Sequence, residues 1–213
     1  MNNPLINILT RTSNRPNAFY LNKSTVRSQS YKNIRHIVSV DDEFTEAYVK
    51  TYSDVDYITI NKNSIINDDN SINPNTGKYS PHNLYFNPLM REVKEGWIMI
   101  LDDDDRFSNG NSLETIVNSI KDEDTMVIWQ MRFPNGMALP PTNLINEPPK
   151  LGTIGSPCIL FHSKYLGDTK WDGWKCGDFR FINSIYNKVP NKVTIPEMLV
   201  TIGQIGDGNR SDL

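Results

Sequence analysis

Four carboxylates in a row, Asp102-Asp103-Asp104-Asp105, follow directly on five apolar residues, Trp97-Ile98-Met99-Ile100-Leu101. Adjacent acids repel one another, and in a strand or turn their side chains point to alternating sides. A cation is needed where this charge leaves the core. A hard divalent ion, Mg²⁺ or Mn²⁺, carrying a phosphorylated ligand meets that need, because magnesium takes only one or two carboxylates besides substrate phosphates. The ordinary alternative is a solvated acidic loop that turns through Ser108-Asn109-Gly110-Asn111-Ser112. The apolar run tells against it. It is short and partly β-branched, so it reads as a buried strand, and ligand sites in α/β sheets lie at the carboxyl ends of strands. A calcium-binding EF-hand starting at Asp103 would put Glu114 at the final ligand position, but it sets Phe107 at a ligand position and Ser108 where glycine is required.

The elements that must position these acids follow from hydrophobic pattern. Leu5–Thr10 is a short apolar strand that runs into a basic loop, 11–16, closed by Pro16. Residues 17–30 fit an amphipathic helix, and Ile34–Val40 is a second strand ending on Asp41-Asp42. Strand, helix and strand within about 40 residues make a βαβ unit with parallel strands and a right-handed crossover. A short helix over 47–54 and a third strand over 55–60 come next. Residues 61–80 are loop chemistry, rich in Asn, Asp, Ser and Pro, and so long a loop inside a compact domain is functional or mobile. The pattern then predicts a helix over 83–95, the strand at Trp97, a helix over 113–120 with a clean apolar stripe, and a strand over 126–133. Five prolines fall within 134–152, which suits a loop with room for a hairpin. A strand over 156–161, a helix over 179–186 with Asp178 at its N-cap, and a closing strand over 193–202 complete the chain. The polar stretch 206–213 reads as a tail or a linker to a further domain.

Composition sets the outer limits. The chain has 213 residues, a formal charge of −3, 38% hydrophobic residues and 13 prolines. That length supports one domain with a substantial core, and the charge does not point to a nucleic-acid partner. Two cysteines, Cys158 and Cys176, are too few for a disulfide framework or a structural zinc site. No apolar run reaches membrane-spanning length and the N-terminus lacks a secretory apolar segment. A soluble, cytoplasmic protein is therefore expected.

Four features then stand in a familiar order. They are a strand ending on Thr10-Arg11-Thr12 with Arg15-Pro16, a strand ending on Val40-Asp41-Asp42, a strand ending on Asp102–Asp105, and the segment Trp171-Asp172-Gly173-Trp174-Lys175-Cys176-Gly177-Asp178-Phe179. Together they resemble the GT-A fold of family-2-type, nucleotide-sugar-dependent inverting glycosyltransferases. The stretch from Arg15-Pro16-Asn17 to Ser28-Gln29-Ser30-Tyr31-Lys32-Asn33-Ile34 is similar to that family's N-terminal phrase, and the resemblance covers most of residues 4–186. It implies an α/β, Rossmann-like three-layer sandwich with a mostly parallel central sheet flanked by helices. It also implies a single catalytic domain over 1–205, with a nucleotide-binding half at about 1–107 and an acceptor half at about 108–205. The small size fits a minimal, virus-encoded catalytic domain, which would work in the host cytoplasm.

The resemblance also implies roles. Backbone groups of Thr10, Arg11 and Thr12 would cradle the nucleotide, and Arg15 would contact phosphate or base, since a guanidinium matches planar oxygens. Asp41 would accept hydrogen bonds from the base, uracil by family habit; capping of the next helix is its competing role. In the Asp-x-Asp register Asp102 is the first acid and Asp104 the second. Asp104 would bind the metal, with Asp102 sharing that duty, while Asp102 or Asp103 faces the ribose. Four acids in a row leave the register open by one residue, so Asp103 or Asp105 could also ligate. A bound cation neutralises the leaving diphosphate, and a general base must activate the acceptor hydroxyl from the opposite side of the sugar ring. Asp178 matches the family's base position, with N-capping as its competing role and Asp172 in reserve. Gly177 stands where the family often has Glu.

The expected function is transfer of a sugar from a nucleoside-diphosphate donor, favoured as UDP, to a hydroxyl on a glycan or glycoprotein with inversion. A nucleotide- or carbohydrate-binding module with a structural metal is the non-enzymatic alternative. Sugar-nucleotide pyrophosphorylases share this kind of fold but resemble one another in a Gly-rich loop after the first strand, and residues 10–16 contain no Gly. An aspartyl phosphatase would want paired Asp at that strand, which ends on Thr10. His36, His82 and His162 carry no ligand pattern. Trp171 and Trp174 suit either sugar stacking or core anchoring.

Overall fold

A computed structural model describes residues 3–74 and 77–203; the expected tail at 206–213 and the last two residues of the expected domain lie outside them. The chain runs β1 (Ile6–Arg11), α1 (Pro16–Arg27), β2 (Ile34–Val40), α2 (Glu43–Val49), β3 (Asp56–Thr59), α3 (Lys62–Asn67), a 3₁₀ turn at Pro81–Tyr85 and α4 (Phe86–Glu92). It continues through β4 (Trp97–Ile100), β5 (Asp105–Phe107), α5 (Ser112–Asn118), β6 (Thr125–Arg132), β7 (Ala138–Leu139), β8 (Ile159–His162), α6 (Gly177–Lys188) and β9 (Asn191–Ile202).

The nine strands among the described residues join one sheet in the order β3-β2-β1-β4-β8-β6-β9-β5, with β7 paired to β6. The first four are parallel, as the βαβ pattern requires. Beyond β4 the sheet turns mixed: β8 is antiparallel to both β4 and β6, β5 to β9 and β7 to β6, and only β6 and β9 run parallel. The sheet as a whole is therefore less parallel than the resemblance implied. The parallel half is built by helical crossovers, and α6 likewise carries the chain from β8 to β9, whereas β7 turns straight back on β6 and β8 returns through the irregular, proline-rich stretch 140–158.

Strand order fixes where a ligand can sit. β1 hands on to β2 on one side, and β4 pairs with β1 on the other, so the order in which strands are added reverses between β1 and β4. In open α/β sheets the crevice at such a switch, outside the carboxyl ends, is the binding position. The residues leaving those ends are Arg11, Asp41 and the acid run.

Core packing holds the sheet from both faces. Alternation along β2 sends Ile37 into the main core with Phe86, Leu89 and Met90 of α4, while Val38 and Val40 face a smaller cluster with Phe19 of α1 and Val49 of α2. Trp97, Trp129, Phe161 and Phe181 are fully buried in the main core. Gly96 turns the chain into β4 at φ +83°, and a Cβ there would lie 2.6 Å from the Leu5 carbonyl oxygen, so this position requires glycine.

Several boundaries differ from the pattern. The helix expected at 47–54 begins at Glu43 because Asp42 caps it, accepting from the Thr45 N–H at 2.7 Å. A short helix, α3, forms inside the stretch read as loop, with Asn61 as its cap. Asp178 is not the N-cap of α6; Cys176 holds that position at φ +63° and Asp178 lies in the first turn.

Candidate active site at the carboxyl ends of the parallel strands

The acid run is held by two arginines, one ending β1 and one at the N-cap of α1. Arg11 donates from Nε to both Asp102 carboxylate oxygens at 3.0 and 3.1 Å and from Nη2 to Oδ2 at 2.7 Å. Its Nη1 reaches the His82 carbonyl at 3.0 Å and Asn83 Oδ1 at 3.2 Å, and the guanidinium lies 4.9 Å from the centre of the Phe86 ring. Burial pulls the Arg11 pKa down, but Asp102, with Asp103 and Asp104 behind it, outweighs burial and holds it above the ordinary value. Arg15, at the N-cap position of α1, pairs with Asp103 at 2.6 Å and with Asp104 at 3.1 Å.

The backbone of the acid turn is fixed from α1. Asn22, fully buried, donates to the carbonyls of Asp102 at 2.8 Å and Asp105 at 2.9 Å. Asp105 opens β5, and its pKa is raised well above the usual range, first by burial and then by the neighbouring acids. Burial likewise pushes the Asp103 carboxyl up to about 8, with Arg15 acting in the opposite sense. Asp102 and Asp104, each with 18% of its side chain exposed, are the more accessible members of the run.

A divalent cation fits this donor set only with help from its ligand. Among the described residues no three His, Cys, Asp or Glu side chains converge, so phosphate and water oxygens would have to complete the coordination, as is usual for Mg²⁺. Asp102 already gives both oxygens to Arg11, which leaves Asp104 the better placed ligand. Asp103 and Asp105 are buried.

The other expected nucleotide contacts divide. Thr10 is fully buried within β1, its hydroxyl donating to the Leu101 carbonyl at 2.6 Å and lying 2.9 Å from His36 Nε2. The Thr12 N–H is taken by the Ser39 carbonyl at 3.1 Å and its hydroxyl by Tyr48 at 2.8 Å. Both threonines therefore tie strands and loop together. Of the two roles foreseen at Asp41-Asp42, the structure shows the capping one, and it falls to Asp42. The Asp41 side chain is 3% exposed, with Oδ2 meeting Lys62 Nζ at 2.9 Å and the Tyr85 hydroxyl at 3.2 Å. Asp41 Oδ1 is buried with no hydrogen-bond partner, and a buried acceptor left so is costly unless a ligand completes it.

Asp178 faces an open cleft whose lining includes Arg11, His82, Asn83, Trp171, Lys175 and Cys176. Arg11 is thus the link between the acid run and Asp178; Asp104 itself is not in this lining. Asp172, the reserve base, gives both oxygens to Arg180 at 2.5 and 2.6 Å. Trp171 is buried, stacks on Phe181 with centroids 5.2 Å apart, and also forms part of the cleft wall. Trp174 meets Tyr79 edge-on at 5.0 Å. His162 pairs with Trp97 at the opposite end of β4 from the acids. The Cys158 thiol is pushed up to about 12 by burial, which makes it unreactive.

Pattern reading passed over Asn22, Asn83 and Tyr85. Asn22 left a signal, since it falls on the same helical face as Ala18, Phe19, Lys23 and Val26, all buried. A polar residue in such a stripe must have a partner.

No protein-family profile matches this sequence, and neither does any curated protein sequence. Solved structures do. S. aureus TarS 1–349 superposes with a TM-score of 0.70 at 15% identity over 93% of this chain and 60% of its own. The same protein in complex with UDP-GlcNAc gives 0.67 at 14% identity, over 96% of this chain and 60% of its own. The mannosyltransferase PcManGT from Pyrobaculum calidifontis, in complex with GDP-Man and Mn²⁺, gives 0.63 at 14% identity, over 96% of this chain and 58% of its own. This chain therefore spans about 60% of the length of the TarS 1–349 chain. At such identities the likeness establishes the fold, which is a GT-A-like α/β fold with a curled central sheet.

Proposed function

We propose that this chain is a metal-dependent, inverting glycosyltransferase of the family-2 type, moving a sugar from a nucleoside-diphosphate donor to a hydroxyl on a glycan or glycoprotein. One observation carries the proposal: Arg11, which holds Asp102 of the acid run beyond β4, lines the same cleft as Asp178 in the first turn of α6. That the structural neighbours were solved with UDP-GlcNAc or with GDP-Man and Mn²⁺ supports the same class of donor. Residues 1–107 would form the nucleotide half and 108–205 the acceptor half.

The residues divide the work as follows. Asp41 Oδ1 accepts an N–H from the base, and a single free acceptor suits the one imide N–H of uracil. Arg15 shifts part of its pairing from Asp103 and Asp104 to the diphosphate, whose planar oxygen pairs match a guanidinium. Asp102, steadied by Arg11, faces the ribose. A divalent ion at Asp104 would supply positive charge to the departing diphosphate. Asp178 takes the proton of the acceptor hydroxyl as that oxygen bonds to the anomeric carbon. The bond from that carbon to the diphosphate breaks on the opposite face, so the configuration inverts and the nucleoside diphosphate leaves with the bonding pair.

A thermal-shift panel of UDP-, GDP-, CDP- and dTDP-sugars with and without Mn²⁺ tests the donor. A UDP-sugar with Mn²⁺ should stabilise by about 2–3 kcal/mol near 100-fold saturation. No response to any donor would refute the proposal.

A further inference from the structure

Resting on the glycosyl-transfer reading, we infer that Arg180 is a positioning residue: it clamps the loop 172–175 against the start of α6 and so sets Asp178 against the donor cleft. Arg180 stands in the second turn of α6, two residues beyond Asp178. Its Nε donates to Asp172 Oδ2 at 2.6 Å, and its Nη2 to Asp172 Oδ1 at 2.5 Å, to the Trp174 carbonyl at 3.1 Å and to the Lys175 carbonyl at 3.0 Å. One side chain therefore grips three residues of the segment that leads into Asp178. Lys175 and Cys176, which follow the gripped carbonyls, line the cleft beside Asp178.

The segment needs such a clamp. Cys176 sits at φ +63°, a conformation non-glycine residues rarely adopt without support. The Trp174 carbonyl that accepts from Arg180 also accepts from Asn83 Nδ2 at 3.2 Å, and Asn83 Oδ1 accepts from Arg11. Polar contacts thus run unbroken from Asp102 through Arg11, Asn83 and the Trp174 carbonyl to Arg180. The base side of the cleft is held in register with the donor side. Lysine cannot replace this, because an ammonium lacks the planar fork that meets a carboxylate and two carbonyls together. A misplacement of about 1 Å in a reacting group costs on the order of 100-fold in rate.

UDP release from the stabilising UDP-sugar with Mn²⁺, with water as acceptor, tests the clamp in the wild type, Arg180→Lys, Asp172→Asn and the double variant. The expected result is a 10- to 100-fold fall in kcat for Arg180→Lys with KM for the donor within about twofold. The double variant should lose little more than either single one, because both break one contact. Unchanged kcat, or kcat and KM failing together with the melting temperature, would overturn the inference. A wild type that releases no UDP overturns the functional reading itself and this inference with it.

Discussion

Arg11 and Asp102, ninety-one positions apart in sequence, are locked side on by three hydrogen bonds of 2.7 to 3.1 Å. The pair joins the end of β1 to the end of β4 at the point where strand order reverses, and it forms the boundary between the acid run and the cleft. Removing either partner leaves the other charged and mostly shielded from water. Arg11→Ala and Asp102→Ala should each destabilise the protein by somewhat less than the roughly 3–5 kcal/mol of a fully buried pair, because each side chain retains about a fifth of its exposure. Urea titrations check this, and a loss below about 0.5 kcal/mol for both would mean that the pair does not hold the site.

His36 makes stability depend on pH. Burial lowers its pKa to about 3 from an ordinary value of 6.5, with the Lys23 charge acting in the same direction. Between those values the unfolded chain binds a proton that the folded chain refuses. Stability is therefore complete above about pH 6.5 and falls as pH drops toward 3, by at most about 1.4 kcal/mol per pH unit. His36→Gln, which can keep a bond to Thr10, should flatten the profile between pH 6.5 and 4. Parallel profiles for the two proteins would show that His36 does not carry the effect.

Asp41 offers a test of base recognition. Its buried, unpartnered Oδ1 should be completed by a ligand N–H. Asp41→Asn replaces a charged acceptor and should weaken UDP binding about tenfold, or ~1.4 kcal/mol. Calorimetric titration with UDP measures it, and equal affinities would remove Asp41 from the nucleotide site.

Gly177 stands where the family resemblance led one to look for Glu, and the structure supplies a reason. A Cβ at 177 would lie 2.9 Å from the Asp172 carbonyl oxygen and 3.2 Å from Asn83 Nδ2. Gly177→Ala should cost about 1–3 kcal/mol through local overpacking, seen as a fall of several degrees in melting temperature at this chain length. A melting temperature equal to wild type would mean that the loop has room to spare.

Much of this site was legible before the structure. The apolar runs of β1, β2 and β4 ending on Arg11, Asp41 and Asp102 are strong local patterns, and a parallel βαβ unit brings their carboxyl ends together by topology alone. What stayed hidden depends on long-range pairing. β5 is three residues long and forms only because β9 returns alongside it, with Asp105 opposite Ile202. The antiparallel entry of β8 and the Arg11 bonds to Asp102 and Asn83 likewise join residues whose sequence neighbours carry no trace of the contact. Local chemistry decided other details: Asp42 rather than Asp41 took the cap, and Cys176 at positive φ moved the start of α6 ahead of Asp178.

In the proposed reaction a donor diphosphate is held at Asp102–Asp104 while Asp178 acts on the acceptor from across the cleft. Measuring UDP-sugar binding and UDP release in the presence of Mn²⁺ for Asp104→Asn and Asp178→Asn separates the two duties. Asp104→Asn should lose the Mn²⁺-dependent part of donor binding, whereas Asp178→Asn should bind donor as the wild type does yet release UDP at least 100-fold more slowly. Undiminished Mn²⁺-dependent binding in Asp104→Asn, or wild-type turnover in Asp178→Asn, would contradict it.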